Sequence, residues 1–296
     1  MLFSLNKHVI QAVTLILWLL TQPLAVSGQD YFSTGLLFRL QGAGESPSYL
    51  FGTIHSEDPR VLALPQEVRQ AFDSSSRVVL EVQMDAETLI SSLTAMLLTN
   101  GRDLRSVVGS TLYRRCLVAA EQRGIPDMAL QRYKPWTIAT LLSLPPMETG
   151  QFLDLVLYQT AQQDGKQIVG LETAAEQLGA FDRLSDQDQI VLLEDTLRNL
   201  DQMPTLYTEL LEAYLRRDLA ALVELSSNSF QGGNTQVAAH FQEFLVIDRN
   251  HRMVDRLLPH LQEGAVFTAV GALHLPGEEG MLNLLRQKGY RVERLY

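Results

Sequence analysis

Two segments at opposite ends of the chain carry a glycine and a histidine at the same spacing. Residues 52–55 read Gly-Thr-Ile-His and residues 271–274 read Gly-Ala-Leu-His, and each segment follows an apolar run typical of a buried strand. Imidazole is the commonest metal ligand in proteins and exchanges protons near neutral pH. The matched spacing therefore predicts that His55 and His274 contribute to one shared chemical site.

The surroundings of the two segments are also alike. Each histidine is followed by a Leu-Pro pair, a helical stripe of apolar residues and a strand-like run, which ends at residue 82 in the first case and at residue 295 in the second. Open α/β sheets bind their ligands at the carboxyl ends of their strands. We therefore expect both histidines at the same edge of one sheet.

Two glutamates are candidate partners of these histidines. Glu81 interrupts the apolar run 78–82, and Glu172 ends the apolar run 168–171. A carboxylate in such surroundings is costly to bury unless it is paired or binds a cation. Two histidines and one glutamate form a common catalytic zinc set, which a second glutamate can serve as general base. The spacing leaves the order open; we assign Glu81 as metal ligand and Glu172 as base or as a supporting residue.

Each of these residues also has a purely structural interpretation. Either histidine could be a hydrogen-bonded residue of the core, and Glu81 could pair with a buried arginine. Glu172 could cap the helix that begins near residue 174, because carboxylates are favoured at helix N-termini.

The elements that position these residues alternate between strands and helices. Hydrophobic periodicity predicts strands at 36–40, 49–54, 78–82, 167–171, 265–270 and 291–295. It predicts helices at 65–72, 86–98, 111–123, 135–144, 151–163, 174–181, 186–199, 205–217, 219–225 and 236–261. The pattern indicates a helix-rich α/β domain with a small central mixed sheet and a mostly helical insertion at 85–235.

The first 28 residues are predicted to be a signal peptide outside the fold. Lys7 precedes an apolar stretch of about 12 residues, shorter than the roughly 20 of a membrane-spanning helix, and small residues at 25–28 offer a cleavage site. The alternative is an uncleaved anchor that tethers the protein to the inner membrane. After cleavage, 29–296 would be a single periplasmic or secreted domain with no membrane span.

Charge and cysteine content narrow the class of protein. The chain has 24 Lys and Arg against 34 Asp and Glu, a net charge of −10, and loss of Lys7 with residues 1–28 leaves 23 against 34, or −11. This balance argues against a nucleic-acid partner. Cys116 is the single cysteine, so no intramolecular disulfide forms, which fits a bacterial periplasm. Its apolar neighbours at helical spacing indicate a buried side chain and not a nucleophile.

Several segments, taken in order, resemble the TraB/PrgY/GumN family, to which the Tiki proteins belong. They are residues 49–55, 64–82, 134–136, 165–173, 176–177, 249–253 and 271–292. The resemblance covers nearly the whole mature chain and implies an α/β core of two related halves, as in haem-binding ChaN-like and erythromycin-esterase-like proteins. For the Tiki branch it implies a metal-dependent protease that uses the paired Gly-x-x-His histidines with an acidic residue and an arginine.

Arg249 is the candidate arginine, because it coincides with the Arg-Asn element of the family. With Arg252 and Arg256 it forms a basic face on a long helix of an otherwise acidic protein. Arginine binds carboxylates through two parallel hydrogen bonds, so this face could stabilise an oxyanion or hold a peptide carboxylate. The alternative is a solvated surface.

Two classes of function follow from these residues. The first is a metal-dependent hydrolase, most concretely a peptidase acting on a peptide or protein, with zinc, manganese or cobalt bound by His55, Glu81 and His274. Glu172 and Arg249 would then be its catalytic residues. The second is a periplasmic protein that binds or sequesters a peptide, haem or metal without catalysis. The sequence has no HExxH motif of the common zinc proteases.

Overall fold

The computed structural model describes residues 31–42, 46–146, 148–228 and 235–296. The signal peptide predicted at 1–28 lies outside these residues, and the domain limits 29–296 stay a prediction. None of the helices in the described part of the chain combines the length and the apolarity that a membrane span requires.

A six-stranded mixed sheet forms the centre of the described chain, in the order β4-β3-β5-β2-β1-β6. Strands β2, β5, β3 and β4 pair in parallel, whereas β1 is antiparallel to both β2 and β6. The strands are β1 (Leu37–Gln41), β2 (Ser48–Thr53), β3 (Arg77–Val82), β4 (Gln167–Glu172), β5 (Val266–Gly271) and β6 (Arg291–Arg294).

The apolar content of each strand agrees with its place in the sheet. The central strands β3 and β5 are buried along almost their whole length, as expected for parallel strands with helices on both faces. The edge strand β6 is largely exposed and carries three charged residues, which discourage pairing with another chain. All six strands predicted from the sequence are found, each to within about one residue of its predicted limits.

Helical residues, with short 3-10 and π-helical turns included, account for 59% of the described residues, which makes this a helix-rich α/β protein as predicted. The α-helices follow in chain order. They are α1 (Pro59–Leu62), α2 (Gln66–Asp73), α3 (Ala86–Ala95), α4 (Leu104–Gln122), α5 (Asp127–Leu130), α6 (Pro135–Ser143), α7 (Leu153–Gln163), α8 (Ala174–Asp182), α9 (Asp186–Arg198), α10 (Met203–Leu215), α11 (Leu219–Asn228), α12 (Thr235–Gln242), α13 (Asp248–Glu263) and α14 (Met281–Gln287).

Two predicted helices differ from the structure in an informative way. Helix α4 begins at Leu104 and not at residue 111, because Asp103 caps it by accepting the Ser106 N–H and Gly109 then interrupts it at φ 80°. The helix predicted at 236–261 is divided into α12 and α13 by a π-helical turn, Glu243–Ile247. Such turns are frequent at functional sites, and this one directly precedes Arg249.

The buried apolar residues form two clusters. One packs on the sheet, and the other lies among α4, α6, α8 and α9, where the Trp136 and Phe181 rings stack with centroids 4.7 Å apart. Cys116 is fully buried in this second cluster, and burial raises the pKa of its thiol to about 12. It is therefore a packing residue, as the sequence indicates.

Candidate functional site

The two Gly-x-x-His segments are neighbours in space. Strands β2 and β5 pair in parallel with Thr53 opposite Gly271, so both histidines follow the carboxyl ends of adjacent strands. A Cβ atom on Gly52 would lie 2.7 Å from Leu275 Cδ1 and 3.2 Å from Ala272 Cα. A side chain at position 52 would therefore displace Leu275 and crowd the backbone at Ala272, because the two segments pack directly against each other.

His274 is fully buried and held in one orientation. Its Nδ1 lies 2.5 Å from Asn250 Oδ1, while the Asn250 Nδ2 donates to the Glu279 carbonyl at 2.7 Å. Since the amide nitrogen is used as a donor, the amide oxygen accepts, and this network assigns the proton of His274 to Nδ1. Its unprotonated Nε2 faces Arg249 Nη1 at 3.4 Å and Glu81 Oε1 at 3.8 Å. Burial and the charge of Arg249 lower the pKa of His274 well below its ordinary value.

His55 is also buried but has fewer partners. Its ring packs on Phe152 with centroids 3.8 Å apart, and its Nδ1 lies 4.0 Å from Asp154 Oδ2. Its Nε2 is buried and has no hydrogen-bond partner among the residues that the structure describes. Burial lowers the pKa of His55 to about 3, so the imidazole is neutral at physiological pH. A buried ring nitrogen without a hydrogen-bond partner lowers the stability of the fold. The same nitrogen is available to a ligand.

Arg249 joins the two candidate glutamates. Its side chain is fully buried on α13, and Nη2 lies 2.9 Å from Glu81 Oε2 and 2.7 Å from Glu172 Oε2. Nη1 donates to the Leu245 carbonyl of the π-helical turn at 3.2 Å. Burial alone would lower the pKa of Arg249, but the charges of Glu172 and Glu81 raise it above its ordinary value. The guanidinium is thus the internal counter-ion of two buried carboxylates.

Glu81 faces both Arg249 and the motif of β5. Its Oε1 accepts the Gly271 N–H at 2.5 Å, and its Oε2 accepts from Gln177 Nε2 at 3.1 Å. Burial raises the pKa of Glu81 to about 7, against the opposing effects of Arg249 and of the Gly271 N–H. A buried carboxyl group 3.8 Å from an imidazole that changes protonation near neutral pH is typical of catalytic sites.

Glu172 binds arginines with both of its oxygens. Its Oε2 accepts from Arg249, and its Oε1 accepts from Arg252 Nε at 3.0 Å and Nη2 at 2.5 Å. Arg256, the third member of the basic helix face, pairs with Glu176. The face predicted on α13 therefore binds the protein's own carboxylates. Glu172 supports Arg249 in this arrangement, and its role as general base stays a prediction.

Asp154 is a residue of this region that the sequence reasoning missed. It lies in the first turn of α7 and lines a cavity of about 50 Å³ together with His55, Glu81 and Gln177. Thr53 Oγ1 donates to its Oδ1 at 2.8 Å. Burial raises the pKa of Asp154 to about 6, although 19% of its side chain is exposed. A signal was present, because Asp154 is the single charged residue in the apolar run 152–157.

The donor types fit a divalent metal, although the described residues contain no group of three His, Cys, Asp or Glu side chains arranged to hold one. Two neutral imidazoles and one carboxylate are donors that zinc, manganese and cobalt accept. Within the described ranges, the buried Nε2 of His55 has no hydrogen-bond partner. Arg249 neutralises Glu81 in this arrangement, so metal binding would compete with that ion pair.

The fold and this site define a helix-rich α/β protein with a buried His-Glu-Arg cluster at the carboxyl edge of its parallel strands. The sequence model of the TraB/PrgY/gumN family matches residues 36–294, and the chain belongs to this family. No solved structure matches the chain.

Curated relatives extend the comparison. The chain is 29% identical over 300 residues to metalloprotease TIKI2 of Danio rerio, over 83% of this chain and 58% of that protein. It is 27% identical over 303 residues to metalloprotease TIKI1 of Homo sapiens, over 84% of this chain and 60% of that protein. Uncharacterized protein YbaP of Shigella flexneri is 23% identical over 249 residues, over 82% and 89%. The chain thus spans about three fifths of the TIKI relatives it matches.

Proposed function

We propose that this protein is a metal-dependent hydrolase of the peptidase type. The observation that supports it best is the buried Nε2 of His55, which has no partner in the described part of the chain and belongs to a residue that shares a cavity with Glu81. Glu81 in turn lies 3.8 Å from the unprotonated Nε2 of His274. Two TIKI relatives carry the name metalloprotease, which agrees with this donor set.

His55, His274 and Glu81 would hold the cation, with zinc, manganese and cobalt as the candidates. When bound, such a cation supplies a Lewis acid at this site. The chain contributes neutral imidazoles, because burial keeps both histidines unprotonated. Arg249 holds Glu81 in place through a hydrogen bond to its Oε2.

Proton transfer is available beside the imidazoles. Glu81 and Asp154 line the same cavity with pKa values raised to about 7 and about 6 in the metal-free protein, and of the two only Asp154 stays available for proton transfer once Glu81 holds the cation. Groups with such pKa values take up and release protons efficiently at neutral pH. Apolar side chains, among them Ile54, Leu80 and Leu210, line the rest of the cavity and limit the access of water.

A second cavity of about 280 Å³ gives a peptide access to His55. His55 lines this cavity together with Ser56, Tyr207 and Leu211. Its wall includes Glu57 and Glu148, and the backbone N–H groups of residues 148–150 donate to the Glu57 carboxylate. Glu57 follows His55 by two residues, so the wall is fixed to the histidine segment.

We further propose a periplasmic or secreted protein whose core contains two related halves. In each half a parallel strand, β2 or β5, leads to a histidine, a helix and a further strand that runs in the same direction, β3 or β6. This repeated order supports the kinship with ChaN-like and erythromycin-esterase-like proteins that the sequence resemblance implies.

The decisive experiment combines metal analysis with a cleavage assay. Purified protein would be analysed for bound elements and incubated with a peptide library, with and without a chelator. His55→Ala and His274→Ala are the test variants, and His251→Ala is the matched control because its side chain is 52% exposed. Metal with chelator-sensitive cleavage that both test variants lose supports the hydrolase. Metal or haem bound without cleavage selects the binding protein, and cleavage that survives in both test variants overturns the proposed site.

A further inference from the structure

We infer that Asp154 is a positioning residue that holds His55 in the Nδ1–H form, so that both motif histidines present an unprotonated Nε2 to the site. The role of this tautomer in metal binding rests on the proposed function. The tautomer itself is a property of the metal-free protein. Asp154 would do for His55 what Asn250 does for His274.

The carboxylate of Asp154 is fixed by the same motif that carries the histidine. Thr53 Oγ1, two residues before His55, donates to Asp154 Oδ1 at 2.8 Å. Asp154 Oδ2 is then the oxygen that faces the ring, 4.0 Å from His55 Nδ1. Strand β2 and the first turn of α7 are therefore joined at this point, and Thr53 is buried there.

Electrostatics decides which ring nitrogen carries the proton. At 4.0 Å the contact is longer than a hydrogen bond, but a ring N–H directed at a carboxylate is favoured over a lone pair directed at it. The effect is strong where water is largely excluded, and the His55 side chain is only 5% exposed. The proton therefore belongs on Nδ1, and the buried Nε2 without a partner keeps its lone pair.

In the second motif, an uncharged side chain holds His274 in the same Nδ1–H form. Asn250 Oδ1 lies 2.5 Å from His274 Nδ1, and the amide is locked by its bond to the Glu279 carbonyl. Metal-binding histidines commonly donate their other ring N–H to an oxygen of the protein, which fixes the tautomer and the ring orientation. Two different side chains from two helices, α7 and α13, thus give the paired motifs equivalent donor atoms.

The test is the tautomer of each buried imidazole in metal-free protein. Protein labelled with ¹⁵N in histidine and stripped with a chelator would be measured near neutral pH by long-range ¹H–¹⁵N correlation, with His55→Gln and His274→Gln variants for assignment. We expect both imidazoles in the neutral Nδ1–H form. In Asp154→Ala the Nε2–H form of His55 should become the major one, while His274 is unchanged. In Asn250→Ala the Nε2–H form of His274 should become the major one, while His55 is unchanged.

Asp154→Asn and Thr53→Val keep the test valid if Asp154→Ala fails to fold. The amide keeps the shape of the carboxylate and loses its charge, so the Nε2–H share of His55 should rise. Divalent metal affinity, measured by titration with zinc or manganese, should fall by about 10–100-fold in Asp154→Asn. An Nε2–H form of His55 in the parent protein, or no change in any Asp154 variant, would overturn the inference. Since the tautomer is read without metal, failure of the hydrolase proposal leaves this result intact.

Discussion

Arg249 Nη2 lies 2.9 Å from Glu81 Oε2, in a buried ion pair between α13 and β3. The other oxygen of Glu81 accepts the Gly271 N–H and lies 3.8 Å from His274 Nε2. Glu81 therefore divides its two oxygens between an internal cation and the histidine motif. This geometry makes Arg249 both a structural counter-ion and a competitor of any metal for Glu81.

Loss of Arg249 should be strongly destabilising. Arg249→Ala leaves Glu81 and Glu172 buried without their shared counter-ion, and breaking a buried pair in this way costs about 3–5 kcal/mol. Arg256→Ala, which breaks an exposed pair with Glu176, should cost about 0–1 kcal/mol. Urea unfolding followed by circular dichroism measures both. Equal losses would contradict the counter-ion role of Arg249.

Substitution of Glu172 separates its two candidate roles. Because both of its oxygens bind arginines, Glu172→Gln should lower the free energy of unfolding by about 1–3 kcal/mol and keep the bound metal. Glu176→Gln, in the first turn of α8 and paired with the exposed Arg256, is the control and should lose less. Glu172→Gln protein with parental stability, full metal content and no turnover would instead support Glu172 as the general base. Release of the metal would mean that Glu172 is the ligand.

The two histidines should respond oppositely to replacement by leucine. His55→Leu removes a buried nitrogen that has no partner, so stability should be unchanged or higher while metal binding is lost. His274→Leu leaves Asn250 Oδ1 without its donor and should cost about 1–3 kcal/mol. Thermal unfolding of metal-free protein measures the difference. A larger loss of stability in His55→Leu than in His274→Leu would contradict the assignment of His55 to ligand binding.

The sequence predicted the strands well because most of them are short apolar runs, and parallel pairing of β2 with β5 then brings the two motifs to one edge. It also offered the pairing of Glu81 with a buried arginine as an alternative. It missed Asp154, whose position depends on how α7 docks on the end of β2, a tertiary contact that local periodicity does not encode. The surroundings of Glu172 were missed for the same reason, since both arginines come from α13, 77 and 80 residues away.

Lowering the pH should destabilise the parent protein relative to His55→Leu, because His55 is buried as a neutral imidazole. The pKa of His55 is lowered from 6.5 to about 3 in the folded protein, so only the unfolded chain takes up this proton between those values. Its contribution to stability is complete above pH 6.5 and is lost as the pH falls toward 3, by about 1.4 kcal/mol per pH unit.

The carboxyls of Glu81 and Asp154 act in the opposite direction. Their pKa values are raised to about 7 and about 6, so their contributions are complete at low pH and are lost as the pH rises through those values. The total pH dependence therefore partly cancels, and the difference between His55→Leu and the parent protein isolates the histidine. We expect His55→Leu to gain stability relative to the parent steadily from pH 6.5 to pH 4, in urea unfolding at fixed ionic strength. His251→Leu, at an exposed position, should show no such gain. A pH-independent difference for His55→Leu would mean that His55 is protonated normally in the folded protein, and its burial as a neutral imidazole would be wrong.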